Sequence, residues 1–253
     1  MLDPADSPQK APNHGTPRTS AATDPSPTTE PSPLADCCEV DPRISRAFNK
    51  RLAELMVDGE LPEMVDVSRM LLGQLSDVAT VAPTVLELGC GSAALLVELL
   101  KRGAARGDGI DLSVAMVAGA RRRAEEAGVS ERMTVIQADG ALVRLEQHDW
   151  VLLDRAICCY PHVEHLLGNA TSAAASRVGF SVPTTRGWRG LVNKIAWRAE
   201  NIPVRLGRPG CPGYVHDLGR IEATLASAGF TKRSDSRLGL WYAAVWERAF
   251  KDS

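Results

Sequence analysis

Three carboxylates stand where short apolar runs end: Glu87 in TVLEL, Asp111 in GID, and Asp139 after MTVIQA. Carboxylates at neighbouring strand ends can attract a cation and accept hydrogen bonds from hydroxyl and amino groups. A second set follows the next apolar run, in LLDRAICCYPHVEHLL, which offers Asp154, Arg155, Cys158, Cys159, Tyr160, His162, Glu164 and His165. Imidazole titrates near neutral pH, so His162 or His165 could serve as a base, with Tyr160 orienting an acceptor. The plainer reading makes His162 an exposed helix start and Cys158 a small buried hydrophobe. A shared metal ion is not expected, because adjacent cysteines rarely both reach one tetrahedral ion.

The elements that must hold these groups alternate in type. Thr84–Leu88 has strand length, Gly89-Cys90-Gly91-Ser92 is a turn, and a helix rich in Ala and Leu runs from Ala93 to about Arg102. Further strands are expected at Gly109–Asp111, Met133–Ala138, Trp150–Ala156, Val178–Val182, Thr231–Arg237 and Leu240–Trp246. Helices are expected over Val114–Ala127, from near Pro161, and over Asp217–Ala228. Two more precede the first strand, one carrying Ile44, Phe48, Leu52, Leu55 and Met56, the other spanning Glu63–Val78. Repeated strand–helix alternation implies an α/β, Rossmann-like, doubly wound sheet whose strand ends line one crevice.

The glycine turn has two readings. Gly89, Gly91 and Ala94, with Asp111 about twenty residues on, satisfy the G-x-G-x-x-A dinucleotide fingerprint. Glu87 opposes that reading, since a carboxylate beside the turn repels a pyrophosphate and attracts a cation. E-x-G-C-G-S resembles the first motif of class I S-adenosylmethionine-dependent methyltransferases, whose cofactor carries a sulfonium and an amino acid. The resemblance covers about residues 80 to 250, with Ala93 where a third glycine is common. LDR-x-x-CCYP, with Cys37-Cys38 upstream, is also similar to a bacterial subgroup related to magnesium-protoporphyrin O-methyltransferases. The resemblance implies seven strands, mostly parallel with an antiparallel end strand. It implies S-adenosyl-L-methionine contacts at Glu87, Gly89, Cys90, Gly91, Asp111, Leu112, Asp139, Gly140 and Asp154, with Asp111 on the ribose and Asp139 at the adenine. In that family the loop after the fourth strand faces the transferred methyl group, which would bring His162 and Tyr160 to the chemistry and Arg155 and His165 toward the acceptor; Trp188 and His216, in the insertion that follows, are further expected acceptor contacts.

Composition sets the outer bounds. The chain has 253 residues, 44% hydrophobic and 24% charged, with a net charge of −2, which leaves no general basic field for nucleic acid. No N-P-P-Y or D-P-P-Y sequence follows the fourth strand, which argues against DNA as the substrate. Residues 1–36 hold eight of the sixteen prolines and few large apolar side chains, the composition of a disordered tail. Helices are expected over 37–79 and the methyltransferase domain over 80–253. A cytoplasmic location is expected, since no apolar run reaches membrane-spanning length and the six cysteines lack a disulfide pattern.

An insertion over 186–216 is expected to cap the substrate. Trp188, Leu191, Val192, Ile195, Ala199 and Ile202 form one helical stripe, and Trp197 lies opposite it. Arg186, Arg189, Lys194, Arg198, Arg205 and Arg208 face a single acid, Glu200. This arrangement suits an anionic small-molecule acceptor, a peripheral membrane contact, or a solvated face above a buried stripe. Methyl transfer to oxygen of a small molecule is the expected activity. RNA or protein methylation and a non-catalytic cofactor-binding role are the rivals.

Overall fold

The computed structural model describes residues 42–55, 59–206 and 213–249. The expected tail, Cys37-Cys38, Met56, Arg208 and Cys211 lie outside them. Seven strands form one sheet: β1 (Thr84–Leu88), β2 (Arg106–Asp111), β3 (Met133–Gln137), β4 (His148–Asp154), β5 (Ala174–Pro183), β6 (Phe230–Leu238) and β7 (Trp241–Arg248). Their order is β3-β2-β1-β4-β5-β7-β6. The first five run parallel, and β7 is antiparallel to both β5 and β6. The seven-stranded, mostly parallel sheet expected from the sequence is therefore present.

Helices cover both faces because the central strands are apolar on both. Val85 packs in a core shared with α2 (Asp66–Gly73), α4 (Ala94–Lys101) and α5 (Val114–Glu126). Leu86 and Leu88 face the opposite core, built with α6 (Val163–Ala173) and α8 (Leu218–Ser227). Each such fully buried side chain contributes about 1.5–3 kcal/mol relative to exposure. The strand order reverses between β1 and β4, which opens the crevice at their C-terminal ends.

Several expected elements shift at their ends, β5 for example starting at Ala174 rather than Val178, and two differ for a visible reason. The helix expected over Glu63–Val78 is α2 followed by the short α3 (Val78–Val81). It stops at Gly73, a poor helix former, and Asp77 is drawn instead into a bidentate pair with Arg177 at 2.8 Å. β2 begins at Arg106 rather than Gly109, because pairing with β1 and β3 holds RGDG extended despite its weak strand propensity. Gly109 also leaves room for the Cys90 thiol, which would lie 2.9 Å from an added Cβ.

The first helix, α1 (Pro42–Leu55), packs over the β2 end of the crevice. Asn49 Oδ1 accepts from Ser113 Oγ at 2.6 Å and from the Ala115 amide at 3.1 Å. Ser113 in turn caps α5 by accepting from the Met116 amide at 3.1 Å. Ser45 Oγ donates to the Leu112 carbonyl at 2.9 Å. These bonds tie the helix to the mouth of the site.

Gly89 makes the sharp turn. Its φ is +70°, and a Cβ there would lie 2.6 Å from Ala156 Cβ. Gly89→Ala is therefore expected to lower unfolding free energy by about 2 kcal/mol or more, read as a lower urea midpoint. Adding Ala156→Gly should recover the steric part while leaving the dihedral cost of about 1 kcal/mol.

Candidate active site

A cavity of about 1000 Å³ opens at the reversal point, walled by the ends of β1, β2 and β4, by α1 and by part of α7 (Gly187–Arg205). Its floor is the glycine turn. The Gly89 and Cys90 amides donate to the Ile110 carbonyl at 2.7 and 3.1 Å, fastening the turn to β2. Asp111 completes the fastening: its carboxylate accepts from the Gly91 amide and the Ser113 amide, both at 2.8 Å. Burial raises the Asp111 pKa, and those two amides hold the rise down. Ala93 closes the turn at φ +56°, so its methyl fits, but the backbone is held in a conformation that favours glycine.

Glu87 is the unusual group. Its side chain is 2% exposed, and Oε2 has no hydrogen-bond partner among the described residues. Burial pushes its carboxyl well above the usual carboxylate range, and the nearby Asp154 carboxylate pushes it further. The Leu96 amide pulls back only in part. Asp154 lies at the end of β4, held by the hydroxyls of Ser68 on α2 and Ser181 on β5. Arg155 follows at φ +56°, its amide bonded to Ser181 Oγ at 3.0 Å and its guanidinium 5.8 Å from the Trp241 ring. Strain of this kind beside a cavity is typical of functional sites.

Asp139 and Tyr160 form a pair. The Tyr160 hydroxyl, on a side chain 5% exposed, donates to Asp139 at 2.9 Å, and the Ala141 amide reaches the same carboxylate at 2.9 Å. Gly140 and Ala138 line the cavity beside them, as do Leu112 and Tyr160 itself. His216 sits behind, its Nε2–H donating to the Tyr160 carbonyl at 2.8 Å, and burial lowers its pKa. His162 is exposed and stacks on His165 at 6.1 Å between ring centroids; none of the three histidines lines the cavity.

Of the two orientations that the sequence left open for α7, the helix adopts the one with its apolar stripe outward. Trp188 is 68% exposed and does not line the cavity. Trp197, opposite the apolar stripe, does line it, with Glu200 and Val204. The inward face is fixed by polar pairing: Asn193 donates to the Thr184 and Leu240 carbonyls at 2.8 and 2.9 Å. A buried amide so satisfied holds the helix without an apolar seam. Arg186, Arg189, Lys194 and Arg198 consequently point away from the cavity, and Arg46, Arg51 and Arg155 are cations that do line it.

Sequence reasoning missed Ser68, Ser181, Arg46, Arg51 and Trp241. Only Trp197 left a signal, its place opposite the stripe.

Residues 85–178 match a family described as a methyltransferase domain. Ribosomal protein L11 methyltransferase of Yersinia pseudotuberculosis serotype O:1b is 31% identical over 119 residues, covering 47% of this chain and 36% of that protein. The chain thus matches only about a third of that curated relative's length. Among solved structures, magnesium protoporphyrin IX methyltransferase from Synechocystis PCC 6803, with bound S-adenosylhomocysteine, superposes with a TM-score of 0.58 at 20% identity, over 83% of this chain and 100% of that one. An O-methyltransferase family protein from Burkholderia thailandensis gives 0.61 at 18% identity, over 83% and 61%. The fold is that of the class I methyltransferases.

The buried carboxyl has a measurable consequence. The folded protein holds the Glu87 proton more tightly than the unfolded chain does, so raising the pH from about 4 toward the raised pKa costs stability. Glu87→Gln removes that cost. The variant should gain on the parent as pH rises, in thermal melts recorded across the range.

Proposed function

We propose that this protein transfers a methyl group from S-adenosylmethionine to an oxygen of a small anionic acceptor, with an ionised carboxylate as the acceptor group. The observation that carries the reading is Glu87 Oε2, buried and unpartnered beside Asp154 and Asp111 at the strand-order reversal. A pyrophosphate placed there would meet three carboxylates. A cationic ligand with an amino group would pair the orphaned oxygen and draw the proton off Glu87. The bound S-adenosylhomocysteine of the cyanobacterial neighbour supports this choice of cofactor.

Each wall of the cavity then has work to do. Glu87, beside Asp154, binds the cationic amino-acid end, and Ser68 and Ser181 hold the Asp154 carboxylate in place. Asp111 keeps lone pairs for two ribose hydroxyls after its amide bonds are made. Leu112, Ala138 and Gly140 flank the adenine, and Asp139, held by Tyr160 behind Ala138 and Gly140 and not itself lining the cavity, is the carboxylate on the adenine side. When bound, the sulfonium supplies an electrophilic methyl group for an in-line displacement.

On the acceptor side, Arg46, Arg51 and Arg155 draw and orient an anion, and Trp197 and Trp241 pack its body. A carboxylate arrives already ionised, so alignment alone suffices and no base is needed. This agrees with the absence of histidine from the described cavity wall. It replaces the expected role of His162 and leaves His165, Trp188 and His216 outside acceptor contact.

Calorimetric titration with S-adenosylhomocysteine should show saturable binding, and NAD under the same conditions none. Binding of NAD alone would replace this reading with a dehydrogenase. Asp111→Ala should weaken the S-adenosylhomocysteine affinity by about tenfold or more, with the fold retained by circular dichroism.

With a carboxylate acceptor, Arg155→Ala should raise KM about tenfold, while His162→Ala changes kcat by less than about twofold. A large loss of kcat in His162→Ala would return that residue to the chemistry. Activity that falls steeply with salt on RNA, and is absent on carboxylic acids, would favour a nucleic-acid substrate.

A further inference from the structure

The outward face of α7 is the largest apolar feature that the site does not use. Trp188, Leu191, Ile195 and Ile202 are 68%, 61%, 61% and 55% exposed, and Leu206, just past the helix, is 78% exposed. Val192 and Ala199 continue the stripe. A continuous exposed patch of this kind marks an interaction surface, unlike scattered single apolar residues. The face is not a packing remnant, because Asn193 and Trp197 seat the opposite side of the helix.

Charge identifies the partner. At helical spacing, Lys194 and Arg198 border one edge of the stripe and Arg189 borders the other, its guanidinium 5.1 Å from the Trp188 ring. The helix has one acid, Glu200, and that residue lines the cavity on the inward side. Arg186 is neutralised by Glu222. Apolar residues projecting outward between cations, with a tryptophan at one end, are the pattern of a helix lying in the headgroup boundary of a bilayer. The helix spans 19 residues, and no helix among the described residues is long and apolar enough to cross a membrane, so it would lie flat. A second copy fits less well. Two such stripes packed antiparallel would bring the Lys194 and Arg198 edge of one copy against the same cations of the other.

We propose that α7 docks this protein on an anionic lipid surface, with Trp188, Leu191, Ile195 and Ile202 inserted and Arg189, Lys194 and Arg198 at the headgroups. The face opposite the inserted stripe lines the cavity, so docking presses one wall of the site against the bilayer. Vesicle binding needs neither cofactor nor turnover, and its failure would leave methyl transfer untouched.

The experiment is co-sedimentation of the full chain with vesicles of phosphatidylcholine alone and of phosphatidylcholine mixed with phosphatidylglycerol. Binding is expected only to the mixed vesicles, falling as salt rises, with a blue shift of tryptophan emission that Trp188→Phe removes. Leu191→Ser with Ile195→Ser, both at exposed positions and checked by unchanged melting, should weaken binding by about tenfold or more. Lys194→Glu with Arg198→Glu should abolish the preference for the anionic lipid. No binding to either vesicle, equal binding to both, or binding unchanged by the two double variants would each overturn the proposal. Self-association without lipid that Leu191→Ser with Ile195→Ser removes would also overturn it, giving the stripe to a second copy.

Discussion

A carboxyl group buried with one oxygen unpartnered costs a fold stability, which a cationic ligand can return. Glu87 occupies that position at the end of β1, the strand with neighbours on both sides at the point where the sheet order reverses. The groups around it are held in place rather than free to pair with it. Asp154 is held by two serines, Asp111 by two backbone amides, and the turn between them by the Ile110 carbonyl. The carboxylates therefore cannot relax by pairing with one another or swinging into solvent. A preorganised cluster of this kind favours a cationic ligand without rearranging when it arrives.

Much of this arrangement could be read in the sequence because it is local. TVLEL and GCGS sit side by side, so strand, turn and acid are visible within ten residues, and the alternation that follows dictates the parallel sheet. β2 was less legible: RGDG has no strand former, and only its two neighbours keep it extended. The serines that hold Asp154 are 86 and 27 residues from it in sequence, and a lone serine on a helix or strand carries no mark of such a role. The pairing of Tyr160 with Asp139 is of the same long-range kind.

The orientation of α7 was illegible for a different reason. Its apolar stripe was visible, and so was the position of Trp197 across from it, but periodicity reports only that a helix has two faces. Which face turns inward was settled by Asn193, whose amide finds two strand-end carbonyls. Those two hydrogen bonds, with Trp197 and Val204 beside them, seat the inward side and leave the apolar stripe outward. Position in the sequence is an equally indirect guide for His162, which follows the fourth strand closely but does not line the cavity.

The sheet order carries one more consequence, for how the protein comes to be folded. β7 lies between β5 and β6, although it follows both in the chain. As residues leave the ribosome in order, β5 emerges with one edge open, and β6 has no strand beside it until 241–248 appear. During that interval the apolar edge of β5, from Val178 to Val182, is a template for pairing with any other extended chain. Completion of the sheet is thus a late event in synthesis, and truncation within β7 would leave β5 unpaired on one side and β6 detached from the rest.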